Sequence, residues 1–240
     1  MTGVLHIVGL GPGDPELMTV RAARIVGSAP VVAYFAKKGA IGHARAMVEG
    51  LMAEGVEELR LDYPYTTEIA VRDPAYSTGL ATFYDACAER LAERLATRDV
   101  ALLCEGDPFF YGSSLALLDR LGQTFATDVT PGVSGMSGCW TRARLPMTHG
   151  DDVLTVLPAT LDAESLTRRL SGGDAAVVMK LGRNLDKVMA STKAAGLLDR
   201  AVYVERGTMA GERVIPLADM AGSRAPYFSM VLIPGRQRPR

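Results

Sequence analysis

Three strand ends, each leading into a glycine-bearing corner, constrain the fold of this chain more than any other feature. Val4 to Leu10 runs into Gly9-Leu10-Gly11-Pro12-Gly13-Asp14-Pro15. Val100 to Cys104 runs into Glu105-Gly106-Asp107-Pro108-Phe109-Phe110-Tyr111-Gly112, and Asp128 to Thr130 into Pro131-Gly132-Val133-Ser134-Gly135. Further runs at Val31 to Phe35, Val153 to Leu157, Ala175 to Lys180 and Val202 to Glu205 also read as buried strands. Helices fill the intervals: Thr19 is placed to cap one beginning at Val20, and Asp73-Pro74 opens another towards Arg98. This alternation predicts an α/β chain with a mostly parallel sheet covered on both faces. Towards the C-terminus Val202 to Glu205, Arg213 to Leu217 and Phe228 to Ile233 follow with little helix between, which predicts antiparallel strands at a sheet edge. A chain of 240 residues has room for two α/β domains. The turn Thr130-Pro131-Gly132 is the expected hinge, giving domains 1–131 and 132–240.

Composition removes several classes of function. The hydrophobic fraction is 48% and the charged fraction 22%, as in ordinary globular proteins. Lysine and arginine number 26 against 27 aspartates and glutamates, a net charge of −1 that argues against nucleic-acid or anionic-membrane partners. No apolar run approaches the roughly 20 residues of a membrane span, and Met1-Thr2-Gly3-Val4-Leu5 lacks the basic, then apolar, start of a secretory signal. Cys87, Cys104 and Cys139 are scattered, as are His6, His43 and His149, so neither a disulfide framework nor a metal site is expected and a cytoplasmic location is.

The corners carry the chemistry. The first is not a dinucleotide fingerprint, because Pro12 and Pro15 delay the helix until after Thr19, whereas that motif needs a helix starting inside the glycine run. It brings bare backbone close to a ligand, or it is a plain tight turn. In the second, Asp107 stands at the carboxyl end of a strand, where open α/β sheets bind ligands. It can accept hydrogen bonds from a ribose or a cationic group, or cap the turn towards Ser113. In the third, Ser134 can cap the following helix, touch a ligand, or do both.

Taken together, GLGPGDPELMT, GDPFFYGS and TPGVSG, with KLGRN and ERGTMAGER further on, resemble the tetrapyrrole methylases, the S-adenosylmethionine-dependent family of cobalamin and sirohaem synthesis. The likeness extends over nearly the whole chain. Val32-Ala33-Tyr34-Phe35-Ala36-Lys37-Lys38-Gly39 and Tyr63-Pro64-Tyr65-Thr66-Thr67-Glu68 look like the branch that methylates precorrin-2 at C(20). Phe35 stands where the uroporphyrinogen branch carries an aspartate after the tyrosine.

The resemblance implies two α/β domains, an active-site cleft between them that holds folded S-adenosylmethionine, and a homodimer. Matched position by position, it implies cofactor contacts at Pro12, Gly106, Asp107, Phe110, Ser134, Gly135, Leu181, Gly207, Ser229 and Met230. Leu181 stands where relatives often carry methionine, which points to backbone contact there. The implied reaction places a methyl group on the C(20) meso carbon of precorrin-2, giving precorrin-3A and S-adenosylhomocysteine; the alternatives are the cobalt-containing substrate or another ring position. Glu68 and Tyr34 are the expected acceptors of the meso proton, although a substrate pyrrole nitrogen would also serve. Lys37, Lys38, Arg72 and Arg142, with Arg144 nearby, are the expected partners of the substrate carboxylates. Trp140 and Cys139 read as core. A diphthamide- or ribosomal-RNA-methylating relative and a non-catalytic nucleotide-binding module are the rival readings, the former disfavoured by the neutral charge.

Overall fold

The computed structural model describes residues 2–64 and 74–236 and divides into two compact units, 1–134 and 135–240. The first unit contains β1 (Leu5–Gly9), α1 (Val20–Ser28), β2 (Val31–Lys37), α2 (His43–Met47), β3 (Glu57–Tyr63), α3 (Pro74–Leu95), β4 (Val100–Cys104), α4 (Leu115–Leu121) and β5 (Thr127–Thr130). Its strands form one parallel sheet in the order β3-β2-β4-β1-β5. Parallel strands covered on both sides read as unbroken apolar runs, and the inner strands β1, β2 and β4 do, apart from His6. Leu5, Ile7, Val31, Ala33, Leu102 and Cys104 face α3 and α4. Val8, Val32, Ala101 and Leu103 face α1 and α2.

Thr19 caps α1 as expected, its hydroxyl accepting the Ala22 N–H at 3.1 Å. Before it, Asp14 caps a short 3-10 turn at Pro15–Leu17, accepting the Glu16 N–H at 2.9 Å. Asp73, the expected cap of α3, lies outside the described residues.

The sequence reading missed β3. Only Leu59 and Leu61 of Glu57–Tyr63 are buried; the intervening charges belong to an exposed sheet edge, where charged side chains discourage edge-to-edge pairing. Those charges are paired. Arg98 and Arg94 hold the Glu57 carboxyl below its ordinary range, and Arg45 does the same for Glu58, with Nε 2.6 Å from Oε2. A carboxyl whose folded pKa is depressed adds stability above its unfolded value of about 4.3, and that stability is lost as pH falls through the folded value. The melting temperature should therefore drop between about pH 5 and pH 3, and Glu57→Gln should flatten that drop. Melts with the same pH dependence in parent and variant would remove the edge pairs from the acid response.

The second unit contains α5 (Gly135–Arg142), β6 (Leu154–Pro158), α6 (Ala163–Ser171), β7 (Ala175–Met179), α7 (Leu185–Ala194), β8 (Val202–Glu205), β9 (Arg213–Pro216) and β10 (Ser229–Ile233). Its sheet is mixed, in the order β6-β7-β10-β8-β9: β6 and β7 are parallel, and the remaining pairings are antiparallel. The expected antiparallel character is present, but β10 lies between β7 and β8 rather than at an edge. Its Val231-Leu232-Ile233 run explains why, since all three residues are fully buried and the strand needs neighbours over both faces. Leu166, Leu170, Leu185 and Val188 from α6 and α7 cover one face. Cys139, Met136 and Trp140 from α5 cover the other, which places Cys139 and Trp140 in the core as expected. All three cysteines are free and buried; burial pushes the Cys104 thiol up to about 12 and those of Cys87 and Cys139 to about 11.

Candidate active site

In the first unit β1 and β4 are neighbours whose following segments part. The chain after β1 crosses towards β2 through α1 on one face, and the chain after β4 crosses towards β5 through α4 on the other. Such a parting opens a crevice at the carboxyl ends of the two strands, the usual ligand position in open α/β sheets. Here the corners lock together through bare backbone. The Gly106 N–H donates to Gly11 O at 2.7 Å, and the Gly11 N–H to Gly106 O at 3.3 Å. A Cβ on Gly132 would lie 2.1 Å from Gly106 O, and one on Gly9 would lie 2.6 Å from Gly132 N. These glycines therefore serve corner-on-corner packing before they serve any ligand.

Asp107 ties two corners into one. Its Oδ1 accepts the Phe109 N–H at 2.9 Å and its Oδ2 the Gly132 N–H at 3.1 Å. Two amides fix the direction of the carboxylate, and each oxygen retains a lone pair for a further donor. The turn-capping role and the ligand-facing role are thus compatible. Phe110 is half-buried and packs edge-on against Tyr111, which holds a positive φ of 58°. Pro12 is buried in the first corner. A separate cavity of about 180 Å³, lined by His6, Arg24, Ser28 and Asp99, sits at the amino ends of the strands, away from these corners.

In the second unit, backbone strain marks the loops after β7 and β8. Lys180 follows β7 with φ 60°, and Arg206 and Thr208 follow β8 with φ 51° and 70°. A positive φ is a true outlier for β-branched threonine, and such strain persists where the surroundings impose it, most often at functional sites. Between the two strained residues Gly207 has no room for a side chain: a Cβ would lie 2.9 Å from Cys139 Sγ and 3.0 Å from its Cα. Leu181 is fully buried among the α7 and β7 side chains, leaving only its backbone for a ligand, and its carbonyl already accepts the Asn184 N–H at 2.7 Å. The Ser229 hydroxyl is buried and donates to Pro226 O at 2.7 Å. Gly135 and Met230 are neighbours, with 3.3 Å from a Gly135 Cβ to Met230 Cε. Ser134 immediately precedes α5.

The expected proton and carboxylate handlers divide. Glu68 and Arg72 lie outside the described residues. Tyr34 has its side chain buried in the core, and burial together with the Glu58 carboxylate beside it raises its phenol pKa. Lys37, at the end of β2, and Lys38 after it are exposed, and Arg60 donates to Lys37 O at 2.9 Å. Arg142 is already paired, its Nε lying 2.9 and 2.8 Å from the two oxygens of Glu212.

Two carboxylates were not singled out in the sequence. Glu105 follows β4 and accepts the Ala44 N–H at 3.2 Å, supporting an α2 whose own cap, Gly42, has no side chain. Desolvation by burial raises the Glu105 pKa, and its own amide, His43 and the Ala44 amide offset part of that rise. Its position, one residue before Gly106-Asp107, was the available signal. Glu212, the second glutamate of the ERGTMAGER stretch, accepts the Thr208 N–H at 2.8 Å. Burial opposes its charge, but Arg142 and the Thr208 amide outweigh that and hold its carboxyl below the usual range.

Comparison with known proteins agrees with this architecture. The chain is 54% identical over 239 residues, covering 99% of itself and 98% of the relative, to a precorrin-2 C(20)-methyltransferase of Sinorhizobium sp. It is 47% identical to the cobalamin biosynthesis protein CobIJ of Mycobacterium tuberculosis (strain ATCC 25618 / H37Rv); that match spans 98% of the chain but 47% of the longer relative. Among solved structures, uroporphyrin-III C-methyltransferase from Thermus thermophilus, complexed with S-adenosylhomocysteine, superposes with a TM-score of 0.69 at 21% identity, covering 97% of this chain and 92% of that one, a likeness of fold. The sequence profile of the Tetrapyrrole (Corrin/Porphyrin) Methylases matches residues 4–221, and the chain belongs to that family.

Proposed function

We propose that this chain is an S-adenosylmethionine-dependent C-methyltransferase that methylates precorrin-2 at its C(20) meso carbon, giving precorrin-3A in cobalamin biosynthesis. The observation that carries this reading is 54% identity, end to end, with a precorrin-2 C(20)-methyltransferase. The site residues fit the donor. Asp107 offers an oriented carboxylate with unused acceptor capacity, and the glycine corners present backbone without side chains. When bound, S-adenosylmethionine supplies a methyl group made electrophilic by its sulfonium.

The protein's own part is alignment. Orientation of reactants alone can remove about 7–11 kcal/mol from a barrier. In this reading Pro12, Gly106, Asp107, Phe110, Ser134, Gly135, Leu181, Gly207, Ser229 and Met230 contribute cofactor contacts. Ser229 and Leu181 act through backbone, since their side chains are committed elsewhere. Glu68 or a substrate nitrogen takes the proton that the methyl replaces. Lys37 and Lys38 meet substrate carboxylates, with Arg72. Arg142 joins them only by sharing or leaving Glu212. The enzyme acts as a cytoplasmic homodimer; unbridged thiols support a reducing compartment.

Replacing Lys37 and Lys38 together by alanine should raise the tetrapyrrole KM roughly tenfold and leave S-adenosylhomocysteine affinity unchanged. Single-turnover mass spectrometry of the parent should show the tetrapyrrole gaining one methyl group. A weakened cofactor and an unaltered tetrapyrrole KM would defeat the lysine assignment.

A further inference from the structure

The turn after β8 is bent against its own residue preferences. Arg206 and Thr208 both hold left-handed backbone, with Gly207 pressed between them against Cys139. The turn is closed by the Met209 N–H donating to Arg206 O at 2.8 Å and tied to the strand approach by the Arg206 N–H donating to Phe228 O at 2.8 Å. Neither bond acts on Thr208, the most strained residue. The Thr208 N–H instead donates to Glu212 Oε2 at 2.8 Å, and Arg142 Nε holds the same carboxylate through both oxygens. An amide caught by a carboxylate that is itself fixed by a guanidinium has little freedom to rotate, and charge-assisted bonds are the strong ones.

We propose that Glu212, braced by Arg142, is a positioning residue that holds the Arg206-Gly207-Thr208 turn in its strained form. This extends the reading of Gly207 as a cofactor contact and rests on it. Glu212 touches no reacting atom; it acts through the backbone of Thr208. Without it, the Thr208 amide loses the carboxylate that holds it, and relaxation towards negative φ carries the Gly207 backbone away from its place beside Cys139. The arrangement also gives Arg142 a role at this turn for as long as it holds Glu212.

The test separates strain-holding from simple ion pairing, using the full chain, thermal melts and calorimetric titration with S-adenosylhomocysteine. Glu212→Ala should raise the Kd about tenfold and lower the melting temperature, as expected when a strained backbone loses its restraint. The same change made in a Thr208→Gly background should cost less than about threefold, because glycine takes positive φ without strain. Glu212→Gln, whose side-chain carbonyl still accepts the Thr208 N–H, should stay within about threefold of the parent. A Glu212→Ala penalty of equal size in both backgrounds would overturn the proposal, as would parental affinity in Glu212→Ala. Should the parent fail to bind S-adenosylhomocysteine, the cofactor reading falls. The melts then decide the proposal: a Glu212→Ala loss that shrinks in the Thr208→Gly background supports it, and an undiminished loss overturns it.

Discussion

Gly132→Ala should lower the melting temperature by about 6–12 °C and abolish measurable S-adenosylhomocysteine binding. The added Cβ would lie 2.1 Å from Gly106 O, 2.9 Å from Gly9 C and 3.1 Å from Gly106 C. All three neighbours are backbone at the carboxyl ends of β1 and β4, so no flexible side chain can yield. Relief requires moving one corner relative to another, which breaks the Gly11–Gly106 pairing and the Asp107 bond to Gly132. Overpacking of this kind costs about 3 kcal/mol or more. Gly172→Ala is the control: its Cβ would meet nothing nearer than Arg168 O at 3.6 Å, and its φ is −96°. Equal melting temperatures for the two variants would contradict the interlocked corners.

The second large effect is at Asp107. Asp107→Ala should weaken S-adenosylhomocysteine binding by about 10- to 100-fold, the worth of a lost hydrogen bond to a charged group. It also releases the Phe109 and Gly132 amides, so a stability loss of about 1–3 kcal/mol should accompany it. Asp107→Asn separates the two, since its one carbonyl oxygen can keep a single amide while the negative charge is gone. Calorimetric affinity for both variants, read beside their melts, gives the split; a stability loss with unchanged affinity would confine Asp107 to turn-building.

The strands buried on both faces were legible because their apolar runs leave no other placement. β4 and β8 fall where the runs predict, at Val100–Cys104 and Val202–Glu205. β3 was not legible, because an edge strand needs only Leu59 and Leu61 inward and carries charge elsewhere. That omission hid Glu58, whose carboxylate lies beside the buried Tyr34 phenol and, with burial, raises its pKa. The corners were readable as glycine corners, but the reason for their glycines was not. It depends on Gly106 meeting Gly11 and Gly132, contacts made only once β4 is inserted between β2 and β1. Likewise, ERGTMAGER was recognisable as a motif, yet the meeting of Glu212 with Arg142, 70 positions away, comes from α5 packing on the second sheet.

The most direct test of the account is the position of the transferred methyl group. The purified protein, incubated with precorrin-2 and S-adenosylmethionine carrying a ¹³C methyl, should yield a single product whose labelled carbon is bonded to C(20) in its NMR spectrum. Label on any other ring carbon, or an unlabelled tetrapyrrole recovered from a protein that binds S-adenosylhomocysteine, would contradict it.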